Sequence, residues 1–310
     1  MDAKDQAEPI VVARALEALR WAADVSSVNE GLLDRPVPIP SQSEMAGVPL
    51  SELRRELDRL LLGRNPDMGL DALLASGALD VWMPEVRAMV GFGDGEWRHK
   101  DVWKHTKQVV RQAVPRLTVR WGALLHDIGK IKTRRIEPNG EVHFFGHSEV
   151  GAAMFRKRVG ARLGLEGDLY DRVHYLILHH LRASQYDGSW TDSAVRRFAR
   201  EMGDGLVDLL DLSRADITTK RPERKKRGLR QISELASRIR EIHELDARVP
   251  PLPKGIGDAI MKRYGLAPSR KIGELKEALE AAIAAGELEA QRDEEHYLAF
   301  MEADRARFGL

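Results

Sequence analysis

The stretch Trp121–Lys130, WGALLHDIGK, ends an apolar helical run on two adjacent metal-binding side chains, His126 and Asp127. Such groups at the polar edge of a core helix are costly unless something satisfies them, because a buried polar group without a partner destabilises the fold. A metal ion would satisfy both. The flanking sequence supplies further ligand types: His105 in DVWKHT, His147 in FFGHSEVGA, His179 and His180 in LILHHLRA, and Asp216 at the end of LVDLLDLSRAD. On a helix over Leu169–Leu181, His180 shares the apolar stripe of Leu169, Val173 and Leu176, while His179 points about 100° away. His180 is therefore the preferred ligand of the two. Four His and two Asp suit a divalent ion such as Mn, Fe, Co, Ni, Zn or Mg without choosing among them. Six ligands exceed one closed zinc site and suit two ions about 3.5–4 Å apart, with Asp127 bridging, as in hydrolytic phosphatase centres. Lys130, within HDIGK, and Arg182, two residues after His180, are placed to neutralise a phosphate and the charge that develops on it. The expected chemistry is metal-dependent phosphoester hydrolysis. His99, His143, His174, His243 and His296 read instead as structural, hydrogen-bonded residues.

The elements that must position these side chains are helices. Apolar residues recur at spacings of three and four through most of the chain, and strand signals are scarce. Helices are expected over Ile10–Ala23, over Leu50–Gly91 in several pieces, and over Asp101–Val114 and Val119–Ile128. More follow over Glu149–Leu163, Leu169–Leu181, Asp192–Met202, Leu206–Ala215, Leu229–Leu245 and Lys271–Ala285. Ser51 stands where it could cap the first helix of the Leu50–Gly91 unit, with Arg54 where a capping box needs Glu or Gln. Pro36–Gly47 and Val249–Gly257 read as Pro/Gly-rich connectors. One hairpin is expected in Arg134–Phe145, turning at Pro138-Asn139-Gly140. The fold class is all-α.

Composition bounds the function. The 310 residues are 43% hydrophobic and 31% charged, which supports a folded core. A net charge of +1 gives no global field for polyanions, so attraction to nucleic acid must come from a local patch. Cys is absent, which excludes disulfides and thiolate metal sites and fits a reducing cytoplasm. The first residues, MDAKDQAEP, do not read as a signal peptide, and no apolar run is long enough for a membrane span. A Walker loop is missing, and GFGDGE fails the dinucleotide fingerprint.

HDIGK, with an upstream HT and a downstream SRAD, resembles the HD superfamily of metal-dependent phosphohydrolases. A closer resemblance extends over about Leu50–Leu298. SELRRELDRLLLGRNPDMGLDALLASGALDVWMPEV resembles the neck of bacterial CCA-adding tRNA nucleotidyltransferases and related poly(A) polymerases. DVWKHT, ALLHDIGK, FFGHSEVGA and LILHHLRA resemble the HD domain that follows it in many of them. VPPLPKGIGDAIMKRYGLAPSRKIGELKEALEAAIAAGELE is similar to the segment after that, usually assigned to tRNA contact. The resemblance implies an HD-domain helical bundle between a neck-like unit and a helical tail. It implies an N-terminal helical segment and linker at 1–46, a neck-like unit at 47–95, an HD domain at 96–228 and a tail at 229–310. It also implies metal ligands at His105, His126, Asp127 and Asp216, with His147 and His180 at second-metal positions.

Two functions follow as expectations. The first is a phosphodiesterase or phosphatase for a nucleotide or RNA-end phosphoester, of 2′,3′-cyclic type as implied by HD domains fused to CCA-adding enzymes. The second is an RNA-binding body without catalysis, working with a separate nucleotidyltransferase head. Both make tRNA a candidate partner. The run Lys220–Arg230, KRPERKKRGLR, carries seven basic residues in eleven, namely Lys220, Arg221, Arg224, Lys225, Lys226, Arg227 and Arg230. It follows Asp216 closely and is the expected RNA contact. Only about 45 residues precede the neck-like unit, too few for a nucleotidyltransferase head, and no two Asp stand as Asp-x-Asp anywhere in the chain. The 310-residue chain alone should therefore add neither CTP nor ATP to tRNA. Robust labelled-nucleotide incorporation by the purified chain would contradict this.

Overall fold

The computed structural model describes residues 12–27, 36–93, 101–247 and 250–310. Helices dominate, as the periodicity predicts, and the described strands are one two-stranded pair. The chain forms two compact units, residues Met1–Arg240 and Glu241–Leu310. In the first, the principal helices are α1 (Ala13–Ser27), α2 (Leu50–Leu62), α3 (Pro66–Ala75), α4 (Val102–Gln112) and α5 (Leu117–Leu125). After the hairpin β1 (Arg135–Ile136) and β2 (Val142–His143) come α6 (His147–Met154), α7 (Gly167–His179), α8 (Asp192–Met202) and α9 (Leu206–Ala215). The long α10 (Pro222–Ala247) runs across the boundary.

Helix α5 is the centre of the first unit and packs against α2, α4, α7 and α9. Its sequence, LTVRWGALL, is apolar nearly all round, and Val119, Trp121, Ala123, Leu124 and Leu125 are all buried. A helix with no polar face must sit inside a bundle. Of its polar side chains, Trp121 and Arg120 are satisfied, while the buried Thr118 Oγ1 has no hydrogen-bond partner among the described residues. Trp121 Nε1 donates to Asp58 Oδ1 (2.7 Å), and the buried Arg120 guanidinium donates to the carbonyls of Ala113 and Leu61. Gly122 lets α7 approach, since a Cβ there would lie 2.8 Å from Leu176 Cδ1. The gain in packing offsets the ~1 kcal/mol that glycine costs inside a helix.

Several local expectations change. Ser51 does not cap α2: the N-cap is Pro49, without a side-chain bond, and Ser51 lies inside the first turn. The capping box lies one element earlier, within the expected connector, where Ser41 and Glu44 close a short helix over Gln42–Ala46. The first predicted helix begins at Ala13, and Ile10 lies outside the described residues. Helix α10 starts at Pro222 instead of Leu229, so most of the basic run is its first two turns. Proline suits this position because the first helical N–H has no intrahelical acceptor. The hairpin forms as predicted, with Arg135 opposite His143 and Ile136 opposite Val142. Asn139 Oδ1 accepts from Glu141 N at its turn (2.9 Å).

The second unit holds α11 (Ile256–Tyr264), α12 (Arg270–Ala284) and α13 (Glu294–Ala303). Ile256, Ile260, Leu275, Leu279, Tyr297 and Met301 form its own core. No described helix is long and apolar enough to cross a membrane.

Candidate metal centre

Five helix ends and one turn deliver the predicted residues to one place. His105 lies in the first turn of α4, whose N-terminus is capped by Asp101 accepting from Lys104 N. His126 is the C-cap of α5, and Asp127 opens the turn that follows. His147 is the first residue of α6, His180 the C-cap of α7 and Asp216 the C-cap of α9. Helix ends suit this task, because a polar side chain there can turn inward while the helix body keeps its apolar face on the core.

Asp127 is almost fully buried and its two oxygens face different partners. Oδ2 lies 3.3 Å from His126 Nε2 and 3.5 Å from His105 Nε2. Oδ1 lies 3.4 Å from His147 Nε2 and 3.9 Å from His180 Nε2. Asp216 Oδ1 completes the first side, 3.0 Å from His105 Nε2 and 3.7 Å from His126 Nε2. Two groups result, His105 with His126 and Asp216, and Asp127 with His147 and His180. Within each group the donor atoms lie within 4.8 Å of one another.

The rings are held by their other nitrogen. Nδ1 of His126, His147 and His180 lies 2.8 Å from the carbonyl three residues earlier, at Ala123, Phe144 and Ile177 respectively. A carbonyl only accepts, so each Nδ1 carries a proton and each ring turns its Nε2 inward; burial keeps His147 and His180 neutral, with Nε2 lone pairs facing in. His105 Nδ1 is held by Thr218 Oγ1 (2.9 Å). The inward nitrogens then meet, His105 with His126 at 3.3 Å and His147 with His180 at 3.1 Å. The facing lone pairs of His147 and His180 repel unless a cation lies among them. Asp127 Oδ1 is buried and accepts no hydrogen bond. An orphaned carboxylate oxygen among converging imidazoles is the donor set of a divalent metal site, and these buried His/Asp groups could hold one.

The electrostatics agree. Burial alone would raise the Asp127 carboxyl, but the charges of His126, Lys130 and His105 hold it well below the usual range. The His126 imidazole is pushed down by burial and, more strongly, up by Asp127, so it ends raised. His180 is pushed down to about 4 by burial and the neighbouring His126, so it stays neutral at pH 7. Burial would raise Asp216 too, but the His105 hydrogen bond holds it at about 2. The site favours positive charge between its carboxylates.

The remaining predicted residues divide. Lys130 Nζ donates to Asp127 Oδ2 (2.7 Å) and lies over the Phe144 ring, at the partly exposed edge of the cluster. His179 stays outside, its ring packed on Tyr175 with centroids 4.7 Å apart. Arg182 lies on that side, where it helps push the His179 imidazole down after burial, and it pairs with Glu201 at 2.6 Å. Among the basic run, Lys225 turns onto Gln112 Oε1 (3.3 Å), while Lys220, Arg221, Arg224, Lys226, Arg227 and Arg230 are exposed. Of the five histidines expected to be structural and hydrogen-bonded, His174 packs on Phe155 and His143 on Phe145, the buried His296 Nε2 has no hydrogen-bond partner among the described residues, and His99 lies outside them. Thr218 and the three carbonyls escape sequence reasoning. The signal for Thr218 is its place two residues after Asp216.

With the geometry in view, similarity to known proteins adds the family. The HD domain family matches residues 101–246, the segment that contributes every residue of the cluster. An A-adding tRNA nucleotidyltransferase of Deinococcus radiodurans is 32% identical over 294 residues, 91% of this chain and 66% of that protein. This is an HD-domain protein homologous to CCA-adding enzymes over most of its length. A CC-adding tRNA nucleotidyltransferase of Thermus thermophilus is 30% identical over 272 residues, 85% of this chain and 60% of that protein. A multifunctional CCA protein of Pseudomonas paraeruginosa is 38% identical over 133 residues, 40% of this chain and 32% of that protein. The chain thus spans just under two thirds of the length of the curated relatives it matches over most of its residues. The HD domain supports membership of a metal-dependent hydrolase superfamily.

One close contact in the HD domain fixes the site. A Cβ on Gly129 would lie 2.0 Å from His147 O and 2.6 Å from Gly151 N, so the turn after Asp127 rests directly on the α6 backbone. Gly129→Ala should force the two apart and lower stability by about 3 kcal/mol, the upper range for overpacking. Urea unfolding of the variant within 1 kcal/mol of wild type would show that the turn yields freely.

Proposed function

We propose that the protein is a metal-dependent phosphohydrolase acting on a phosphoester of a nucleotide or an RNA end, of 2′,3′-cyclic phosphodiesterase or phosphatase type. The observation that carries this reading is the buried Asp127 carboxylate, one oxygen against His105 and His126 and the other against His147 and His180. His105, His126, Asp127 and Asp216 would hold one divalent ion, and Asp127, His147 and His180 a second. Bound there, such ions supply a Lewis acid for the phosphoryl oxygen and a nucleophile at neutral pH. His126, Asp127 and His180 form the closed floor, with side chains only 1–2% exposed. Asp216 at 29%, Lys130 at 21% and His105 at 15% form the open side, where a phosphoester would enter. Lys130 balances the charge of the phosphate from that edge. Arg182, two residues after His180, is a second candidate for the phosphate, and reaching it would mean leaving its ion pair with Glu201.

The substrate class rests on two further observations. The homologues' names place tRNA among their substrates. The exposed bases of α10 gather at a helix N-terminus, where the peptide dipole adds positive charge and phosphates are favoured. Arg224, Arg227 and Arg230 follow one another at intervals of three along the helix and make no ion pair among the described residues. The second reading, an RNA-binding body beside a separate nucleotidyltransferase head, is favoured by the homology that extends outside residues 101–246. The complete His/Asp cluster favours the enzyme.

Protein purified without chelator should contain about one to two divalent ions per chain, measured by mass spectrometry of the metal. Asp127→Asn, which keeps the shape of the side chain, should lose both the metal and hydrolysis of a 2′,3′-cyclic nucleotide. Wild-type metal content near zero after reconstitution would sink the reading.

The basic helix has a separate test. Each phosphate contact adds about 0.7 to the log–log salt slope for a single strand. Replacing Arg224, Arg227 and Arg230 by Ala should weaken RNA binding and flatten that slope by up to about two units. Hydrolysis of a small phosphoester should hold. RNA affinity unchanged at every salt concentration would make the run an ordinary solvated surface.

A further inference from the structure

The hairpin beside the cluster carries a feature that neither metal binding nor folding explains. Phe145 is 74% exposed, the most exposed large hydrophobic residue among those described. Solvent exposure of a whole phenyl ring is costly, and here the ring is also organised. His143 lies parallel to it, with ring centroids 5.0 Å apart and planes 13° from coplanar. The His143 edge faces Glu141, 3.7 Å away, which steadies the ring. Arg135 stands directly opposite His143 in the strand register and is exposed. Opposed residues in an antiparallel pair share a face, so one face of the hairpin combines an aromatic stack with a guanidinium.

The place matters as much as the composition. Phe145 precedes His147 by two residues, so their Cα atoms lie within about 7 Å. Phe144, between the stack and the cluster, holds both: its carbonyl accepts from His147 Nδ1 and its ring lies under Lys130 Nζ, which donates to Asp127. An exposed aromatic face with a cation beside it is the chemistry that receives a nucleobase and its phosphate, since every base has a π-face and every nucleotide an anion.

We infer that Phe145, backed by His143, is a stacking platform for the nucleobase next to the phosphoester, with Arg135 facing the adjoining phosphate. This rests on the phosphohydrolase reading above and adds to it the part of the substrate that is recognised. Phe145 is a specificity-determining residue in this account and takes no part in bond breaking. The platform selects for a base of any kind, because stacking does not read hydrogen-bonding edges.

The test is equilibrium binding by calorimetry on the full chain, with chelator present so that nothing turns over. The probes are AMP, ribose 5-phosphate and an eight-nucleotide oligoadenylate. Wild type should bind AMP more tightly than ribose 5-phosphate, which keeps the phosphate and lacks the base. Phe145→Ala should weaken AMP about tenfold, within the range of one lost base stack, and leave ribose 5-phosphate unchanged. Phe145→Trp should restore the preference. An equal loss with the oligonucleotide supports a platform for the terminal base; a loss confined to the oligonucleotide assigns it to an RNA strand. An unchanged ratio of AMP to ribose 5-phosphate affinity with no loss on the oligonucleotide, or an equal loss with both small probes, overturns the inference. The outcome is independent of the reading it extends. Base preference lost in Phe145→Ala by a chain without metal or hydrolysis would leave the platform and remove the phosphohydrolase.

Discussion

A buried carboxylate governs this structure. Taking an ion such as Asp127 out of water costs several kcal/mol even after relaxation, and only close opposite charge and hydrogen bonding recover it. Lys130 supplies a hydrogen bond to Oδ2 and, with it, compensating charge. Oδ1 has neither. The fold therefore keeps a group that protein atoms alone leave half satisfied, and hydrophobic packing gives no reason for it. Around that group the four imidazoles are fixed through their outer nitrogens, so their inner nitrogens have nowhere else to turn. Such orientation by outer partners is what a metal site needs and what a core histidine does not.

The arrangement requires a rigid frame. Helix α5 ends at His126 with every neighbour packed on it, so the turn carrying Asp127 cannot drift with solvent. Gly122 admits α7, which brings His180, and Gly129 admits α6, which brings His147. Both glycines act through close approach, and each draws one ligand-bearing helix inward. The Asp216 side is looser. Its carboxylate ends α9 at a partly exposed position, and Thr218, two residues on, orients His105. Closed floor and open rim thus follow from which helices are drawn in by glycine and which arrive at the edge.

Much of this was legible in the sequence, and the exceptions have physical reasons. The all-α class, the hairpin and the gathering of His105, His126, Asp127, His147, His180 and Asp216 follow from periodicity, turn residues and residue type. His180 over His179 follows from the helical wheel, because burial of the stripe containing Val173 and Leu176 decides which neighbour faces inward. The ion pair of Arg182 was not legible: its partner Glu201 comes from α8, a contact that local sequence cannot encode. Ser51 lost the cap to Pro49 because the backbone enters the helix two residues earlier than a cap at Ser51 would place it. Helix α10 reaches back to Pro222 because a proline at the first helical position outweighs the like charges that follow it. Carbonyl partners for the imidazoles were invisible, since every residue has a carbonyl and only the fold says which are aimed.

In the proposed reading, charge is divided along a short piece of chain. Between Asp216 and Arg230 the sequence passes from a ligand-type carboxylate, through Thr218, to the basic start of α10. Negative charge is held inside with the imidazoles and positive charge is displayed outside. A polyanion is then attracted to the outer segment by a field that falls off within about 10 Å at ordinary salt, while only a single phosphoester need reach the inner one. Had the bases been placed among the imidazoles they would have competed with a metal ion for the carboxylates, as Lys130 already does for Oδ2. Separation lets the strength of strand binding vary without changing the affinity of the cluster for its cation. It also explains how a chain of net charge +1 can address a nucleic acid, since the basic residues need only be gathered in one place.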